Sequence, residues 1–143
     1  MPQKVFTLEE ANSSIPSLTG IFDKMAAIRL KANLVREALD TPSRGRPEEQ
    51  ENPAKLMEKL NSATEDARKL VEQVKVMGCI PKDLENGLID FPSLLEGKQI
   101  FLCWKYGEDK ISYWHDTEGG YRGRQPLSEI SEEVRRFYVS TGS

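Results

Sequence analysis

The chain has 143 residues and a formal net charge of −3, with 20 Lys and Arg against 23 Asp and Glu. This length suits one domain with a hydrophobic core, and the slight acidic surplus argues against binding nucleic acid by neutralising phosphates. No apolar run approaches a membrane span and the first residues lack a signal-peptide core, so we expect a soluble cytoplasmic protein with no membrane partner.

The first predicted element is a long helix. Thr7 and Glu10 have the spacing of a capping box, in which each side chain bonds the backbone N–H of the other residue. Pro16 lacks a backbone donor, so we expect either a kink near residues 12–13 or a short helix followed by a separate one. Apolar residues recur in steps of three and four and indicate one buried face: Leu8, Ala11, Ile15, Leu18, Phe22, Met25, Ile28, Ala32, Val35 and Leu39.

Residues 40–53 contain three Pro and no aliphatic or aromatic residue, which predicts an exposed connecting loop. Asn52 and Pro53 suit the N-cap and first position of a second helix, and Gly78 suits its end. Its apolar stripe is formed by Leu56, Leu60, Ala63, Ala67, Leu70, Val74 and Met77. Two helices of similar length should pair antiparallel, so we predict a helical hairpin over residues 7–78.

After Gly78 the pattern becomes that of a β-meander over residues 79–116. A turn at residues 85–87 should separate strands at 79–84 and 88–91, and residues 92–97 are predicted to be a loop. Two further strands are predicted at Gln99–Lys105 and Lys110–Asp116. In the last strand, Ile111, Tyr113 and His115 should share one face, while Ser112, Trp114 and Asp116 share the other.

The predicted fold class is α+β: a long antiparallel helical hairpin packed on a small three- to four-stranded antiparallel sheet. Residues 1–127 should form a single domain, which ends in a Gly- and Arg-rich loop at 117–125. Residues 128–143 should form a tail with one short C-terminal helix.

Four motifs along this chain resemble a known family. They are FTLEEAN at Phe6–Asn12, GLIDFPSL at Gly87–Leu94, LCWKYGE at Leu102–Glu108 and YWHDTEGGYRGRQPL at Tyr113–Leu127. Their order is similar to that of a bacterial family catalogued as domain of unknown function 2203, over Val5 to Leu127 without the linker. The resemblance implies a bacterial origin and a small stand-alone domain, and it implies no activity. The usual member has a hydrophobic or charged residue in place of Cys79.

Chemically useful side chains are densest around His115, the only histidine. His115, Asp116, Glu118 and Asp90 could supply the imidazole and carboxylate ligands of a divalent metal, or a water-activating site. No His-x-His spacing supports a metal, and the alternative is a histidine at a strand end that bonds a neighbour. Cys79 and Cys103 form no C-x-x-C pair, so we expect no disulfide and no thiolate zinc site. We interpret Cys103 as an inert core thiol.

We expect a ligand of any kind beside the end of the strand Lys110–Asp116 and the loop at 117–125. Arg122 and Arg124 could bind a small anion there, the loop glycines permit close backbone approach, and Trp114 or Tyr121 could form the floor. The candidate ligand-binding residues are Asp90, Trp114, His115, Asp116, Tyr121, Arg122 and Arg124.

Two functional hypotheses follow from these patterns. The first is a non-enzymatic binding or interaction module that forms a homodimer, because two long amphipathic helices on a small sheet would leave an apolar stripe for a partner helix. The alternative is a metal-dependent, hydrolase-like enzyme with a His/carboxylate site at the strand ends. The sequence indicates no cofactor beyond that divalent metal.

Overall fold

The computed structural model of this chain describes residues 4–40 and 52–129. Its two helices are α1 (Leu8–Asp40) and α2 (Pro53–Val76). The strands are β1 (Ile80–Asp83), β2 (Leu88–Leu95), β3 (Lys98–Lys105), β4 (Tyr113–His115) and β5 (Gln125–Pro126). They form one antiparallel sheet in the order β1-β2-β3-β4-β5. The α+β class is therefore confirmed, with five strands in place of three or four.

The chain divides into two compact units. The first combines Met1–Gly20 with Gln73–Ser143 and so contains the sheet, and the second is Ile21–Glu72, which contains most of both helices. In the second unit each helix buries residues of its predicted stripe, and Ile21 is buried beside them; the buried stripe residues are Phe22, Met25, Ala32, Val35, Leu56, Ala63 and Leu70. One domain over residues 1–127 stays a prediction.

Over the described ranges, neither helix combines the length and the apolar character that crossing a bilayer requires. A cytoplasmic location stays a prediction. Most of the predicted loop at 40–53 and most of the predicted C-terminal helix lie outside the described residues. The last described element is a 3₁₀ turn at Leu127–Glu129.

The helix starts agree with the sequence. The backbone N–H of Thr7 donates to Glu10 Oε1 at 3.0 Å, and the N–H of Glu10 donates to Thr7 Oγ1 at 2.9 Å. At the second helix, the N–H of Ala54 donates to Asn52 Oδ1 at 2.8 Å. Helix α1 continues through Pro16, so the alternative of two separate helices is wrong. Proline removes one hydrogen bond of a 33-residue helix whose apolar face stays buried on both sides of it.

The predicted loop at residues 92–97 is wrong, because β2 runs on through Pro92 to Leu95. A proline is compatible with this strand since β1 pairs with β2 only as far as Asp90, so no ladder bond is lost. At the same edge, the N–H of Phe6 donates to the Pro92 carbonyl at 2.7 Å. The chain instead turns at Glu96 and Gly97, both with positive φ, as a two-residue hairpin requires.

Strand β4 is shorter than the predicted Lys110–Asp116. Before it, the N–H of Ile111 donates to the side-chain oxygen of Asn12 in α1 at 2.7 Å, and the carbonyl of Ser112 accepts from Leu127 N–H at 2.9 Å. These tertiary bonds take the place of ladder bonds, so residues 110–112 are not part of the strand.

The register of the sheet gives it two chemically different faces. Side chains of opposite residues share a face, and Ile89 is opposite Trp104 while Phe91 is opposite Leu102. We call this side the apolar face, formed by Ile89, Phe91, Ile100, Leu102 and Trp104, all of them buried. It belongs to the core of the first unit, where Phe6 meets Phe91 edge to face at 5.0 Å. The other side, here called the polar face, carries the candidate site.

Candidate metal centre

Three strands bring Asp90, Cys103 and His115 together on the polar face. Asp90 in β2 is directly opposite Cys103 in β3. Cys103 is opposite Tyr113 in β4, and His115 lies two residues further along β4, so its side chain points to the same face. We call these three residues the triad. Their side chains converge although up to 25 residues separate them in the chain.

The triad is compact and buried. One ligand-type atom from each residue lies within 4.8 Å of the other two. Asp90, Cys103 and His115 expose only 2%, 1% and 3% of their surface. Among the described residues, these are the His, Cys, Asp or Glu side chains that lie close enough together to hold a metal ion.

Hydrogen bonds assign the proton positions of His115. Its Nδ1 lies 2.8 Å from the carbonyl oxygen of Asp116, and a carbonyl can only accept, so Nδ1 carries a hydrogen and donates it. The other ring nitrogen, Nε2, lies 3.0 Å from Oδ1 of Asp90. A single proton between these two atoms completes the contact. The arrangement directs Nε2 to the centre of the triad.

Burial dominates the electrostatics of the site. Desolvation raises the pKa of Asp90, while the hydrogen bond to His115 opposes that rise. Desolvation also raises the pKa of the Cys103 thiol to about 11. Burial therefore makes the proton of each group harder to remove than that of the same group in water.

The second carboxyl oxygen of Asp90 has an unusual environment. Oδ2 is buried and has no hydrogen-bond partner among the described residues. A buried polar atom without a partner costs about 1–3 kcal/mol, so native proteins rarely leave one without a reason such as an ion or a bound molecule. Oδ2 is thus a donor atom available to a cation.

Arg124 closes one side of the polar face. Its guanidinium stacks 3.8 Å from the ring centroid of Tyr113 and pairs with Glu108 at 3.1 Å. Glu108 in turn accepts from the N–H of Lys105 at 2.7 Å, which holds the turn after β3. On the other side, the ring of Phe101 lies 5.4 Å from that of His115. Aromatic rings and an ion pair thus flank the triad.

The other sequence-predicted residues lie outside this group. Oδ1 of Asp116 accepts from the N–H groups of Glu118 and Gly119, which caps a turn and lowers the pKa of Asp116. The Glu118 side chain is exposed. Among the described residues, the structure therefore joins Asp90 and His115 with Cys103 and leaves the two other predicted carboxylates out.

The predicted ligand loop shows a similar division. Arg122 is exposed, whereas Arg124 is engaged with Glu108 and Tyr113, so the two arginines do not form a fork. Trp114 is half-buried on the face opposite His115, and its indole Nε1 has no hydrogen-bond partner in the described part of the chain. Tyr121 begins a 3₁₀ turn.

Cys103 is the site residue that sequence reasoning set aside. The strand Gln99–Lys105 is apolar over most of its length, yet Cys103 and Lys105 alternate with Leu102 and Trp104, which are more hydrophobic. That period of two could have placed Cys103 on a separate face. Only the register with Asp90 shows which side chain it meets.

The donor set suits a transition metal. Imidazole, thiolate and carboxylate are ligands of Zn²⁺ and its neighbours, whereas Mg²⁺ and Ca²⁺ prefer oxygen alone. A ligating histidine usually donates its second N–H to a carbonyl or carboxylate, as His115 does to Asp116. Ligand atoms around tetrahedral Zn²⁺ lie about 3.4 Å apart. The atoms of the triad lie within 4.8 Å of one another, so they would have to approach by at most about 1.4 Å to bind it.

Comparisons with known proteins agree with the motifs noted above. A family model described as "Uncharacterized conserved protein (DUF2203)" matches residues 4–127. Neither the curated proteins nor the solved structures yielded a match. The family match covers both helices, all five strands and the triad. The chain therefore belongs to the DUF2203 family.

Proposed function

We propose that this protein is a binding module that holds a divalent transition metal, Zn²⁺ or a similar ion, between Asp90, Cys103 and His115. The observation that supports it best is the unpartnered, buried Oδ2 of Asp90 beside a thiol and a correctly oriented imidazole. A cation would compensate the buried carboxylate and replace the shared proton of the Asp90–His115 contact.

Burial favours binding over catalysis. The three ligand residues are almost fully covered, and a catalytic metal needs a coordination position that water and substrate can reach. The metal would then stabilise the sheet by linking β2, β3 and β4. A metal that binds the folded state but not the unfolded state raises the free energy of unfolding by about 2.7 kcal/mol when its free concentration is 100 times Kd.

The test uses full-length protein purified without an affinity tag and treated with a chelator. Titration with Co²⁺ should give one equivalent of binding, with visible d–d bands and a thiolate-to-metal charge-transfer band. Cys103→Ser and Asp90→Asn should each weaken binding by more than about tenfold. Cys79→Ser is the matched control, because Cys79 is an equally buried thiol outside the triad. Co²⁺ bands that survive unchanged in Cys103→Ser would refute the proposal.

A metal-dependent enzyme is the second candidate, and one observation favours it. The triad supplies three protein ligands, which is the number in catalytic zinc sites with a water as the fourth ligand. Azide added to the Co²⁺ protein would distinguish the two candidates. A changed d–d spectrum means an exchangeable fourth position and favours the enzyme, whereas an unchanged spectrum favours the closed binding site.

We also propose that the module forms a homodimer through the outer side of α1. Leu30 and Leu34 lie one turn apart on this helix and are 62% and 58% exposed, on the side opposite the buried stripe. Two copies related by a twofold axis would bury these side chains against each other.

Light scattering at increasing protein concentration tests the dimer. The wild type should approach twice the mass of the chain, and Leu30→Lys/Leu34→Lys should be monomeric. Ser62→Lys/Gln73→Lys, at exposed positions of α2, introduces the same two charges away from Leu30 and Leu34 and should still dimerise. A wild type that remains monomeric at high micromolar concentration rules out this partner.

A further inference from the structure

We propose a second binding site, for a small monocarboxylate with an apolar body, in the cleft between the start of α1 and strands β4 and β5. The cleft has a volume of about 370 Å³, at the lower end of the range for pockets that bind small molecules. None of the triad residues lines it, so the proposal does not depend on the metal.

The chemistry of the lining selects the ligand class. Leu8, Ile111 and Leu127 provide apolar walls, and Lys110 is the charged residue of the lining. None of the described lining residues is acidic, so together they carry one positive charge, the ammonium group of Lys110. One ammonium balances one negative charge, and its three hydrogens can donate to both oxygens of a carboxylate.

Two further polar groups can complete the recognition. Ser112 contributes a hydroxyl, which can donate to a carboxylate oxygen. Asn12 already uses Oδ1 to accept from the N–H of Ile111 at 2.7 Å, so its amide NH₂ is the part that can meet a ligand. The site therefore offers donors from three side chains, as an anionic head group requires.

The walls of the cleft are already held in place. The Ile111–Asn12 bond joins the segment before β4 to α1, and the N–H of Leu127 donates to the Ser112 carbonyl at 2.9 Å. Both bonds span neighbouring sides of the cleft. A preformed site costs less ordering on binding than one that must assemble, so a small ligand can bind measurably.

The experiment follows backbone amide signals by NMR in chelator-treated, ¹⁵N-labelled protein during titration with hexanoate. The amides of Ile111, Ser112 and Leu127 should shift with saturation. Uncharged 1-hexanol should bind at least about tenfold more weakly. Lys110→Gln should weaken hexanoate by about the same factor, while Lys105→Gln, at an exposed lysine of β3 outside the cleft, should leave it unchanged.

Three results would overturn the proposal. The first is an absence of saturable shifts at these amides up to the solubility limit of hexanoate. The second is equal weakening by Lys110→Gln and Lys105→Gln, because the effect would then be general electrostatics. The third is tighter binding of hexyl phosphate than of hexanoate, which would indicate a phosphate site. Since the metal is removed beforehand, none of these results bears on the triad.

Discussion

Ile89 and Asp90 are neighbours in β2 and are equally buried, yet they lie on opposite faces of the sheet. The apolar face excludes water by packing alone. The polar face buries an acid, a thiol and an imidazole, and the imidazole of His115 bonds both the Asp90 carboxyl and the carbonyl of the following residue. The comparison teaches that a buried sheet face need not be apolar when the register supplies partners, and that such a face is where chemistry is to be sought.

The largest effect should come from the apolar face. Phe91→Ala should lower the free energy of unfolding by about 3–5 kcal/mol, because it removes a fully buried ring that also contacts Phe6. Urea denaturation followed by circular dichroism measures this. Phe101→Ala, a half-buried ring on the polar face, should cost clearly less. Equal losses would contradict the assignment of the core to the apolar face.

Alkaline pH should destabilise the chelator-treated protein through its thiols. Burial raises the pKa of Cys103 and of Cys79 from 9.0 to about 11, so the native state keeps protons that the unfolded state releases. Stability is therefore full below pH 9 and falls between pH 9 and 11, by up to roughly 2.7 kcal/mol per thiol. Urea denaturation across this range should show the decline, and Cys79→Ala/Cys103→Ala should flatten it. A decline that is identical in the double variant would assign it to other groups.

Two substitutions at one position sharpen the description of the polar face. Asp90→Ala leaves Nε2 of His115 buried without a partner and should cost about 1–3 kcal/mol. Asp90→Asn retains a donor to Nε2 and should cost less, even though it removes the proposed metal ligand. Thermal unfolding in a chelator compares them. If the asparagine variant is as unstable as the alanine variant, a donor to Nε2 does not account for the stability that the Asp90–His115 contact provides.

The smallest effect should come from the edge of the polar face. Arg124→Ala should cost about 1 kcal/mol, because it removes a stacked guanidinium and a partly screened ion pair. Arg122→Ala, at an exposed position two residues earlier, should stay within about 0.5 kcal/mol of the wild type. The same thermal unfolding measures both. Equal effects would mean that Arg124 does not hold the polar face.

Local patterns determined much of this architecture. The capping box of Thr7 and Glu10, the Asn52 cap and the steps of three and four predicted both helices, because these features depend on residues within one turn of each other. The strand Gln99–Lys105 and the turn before Leu88 followed from equally local signals. The sequence also indicated that Asp90 and His115 were candidates for one site.

Only the tertiary structure decided the rest. The sequence alone predicts that Pro92 ends its strand, but β1 pairs with β2 only as far as Asp90, so the proline is tolerated. The sequence also places Ile111 in a strand, but its N–H donates to Asn12 instead of to a neighbouring strand. The sequence predicts that Cys103 is a core thiol, whereas the register of the sheet places it opposite Asp90 and near His115. Register and edges depend on pairing between distant residues, and a shift of one residue would move each side chain to the other face, so local sequence could not determine the triad.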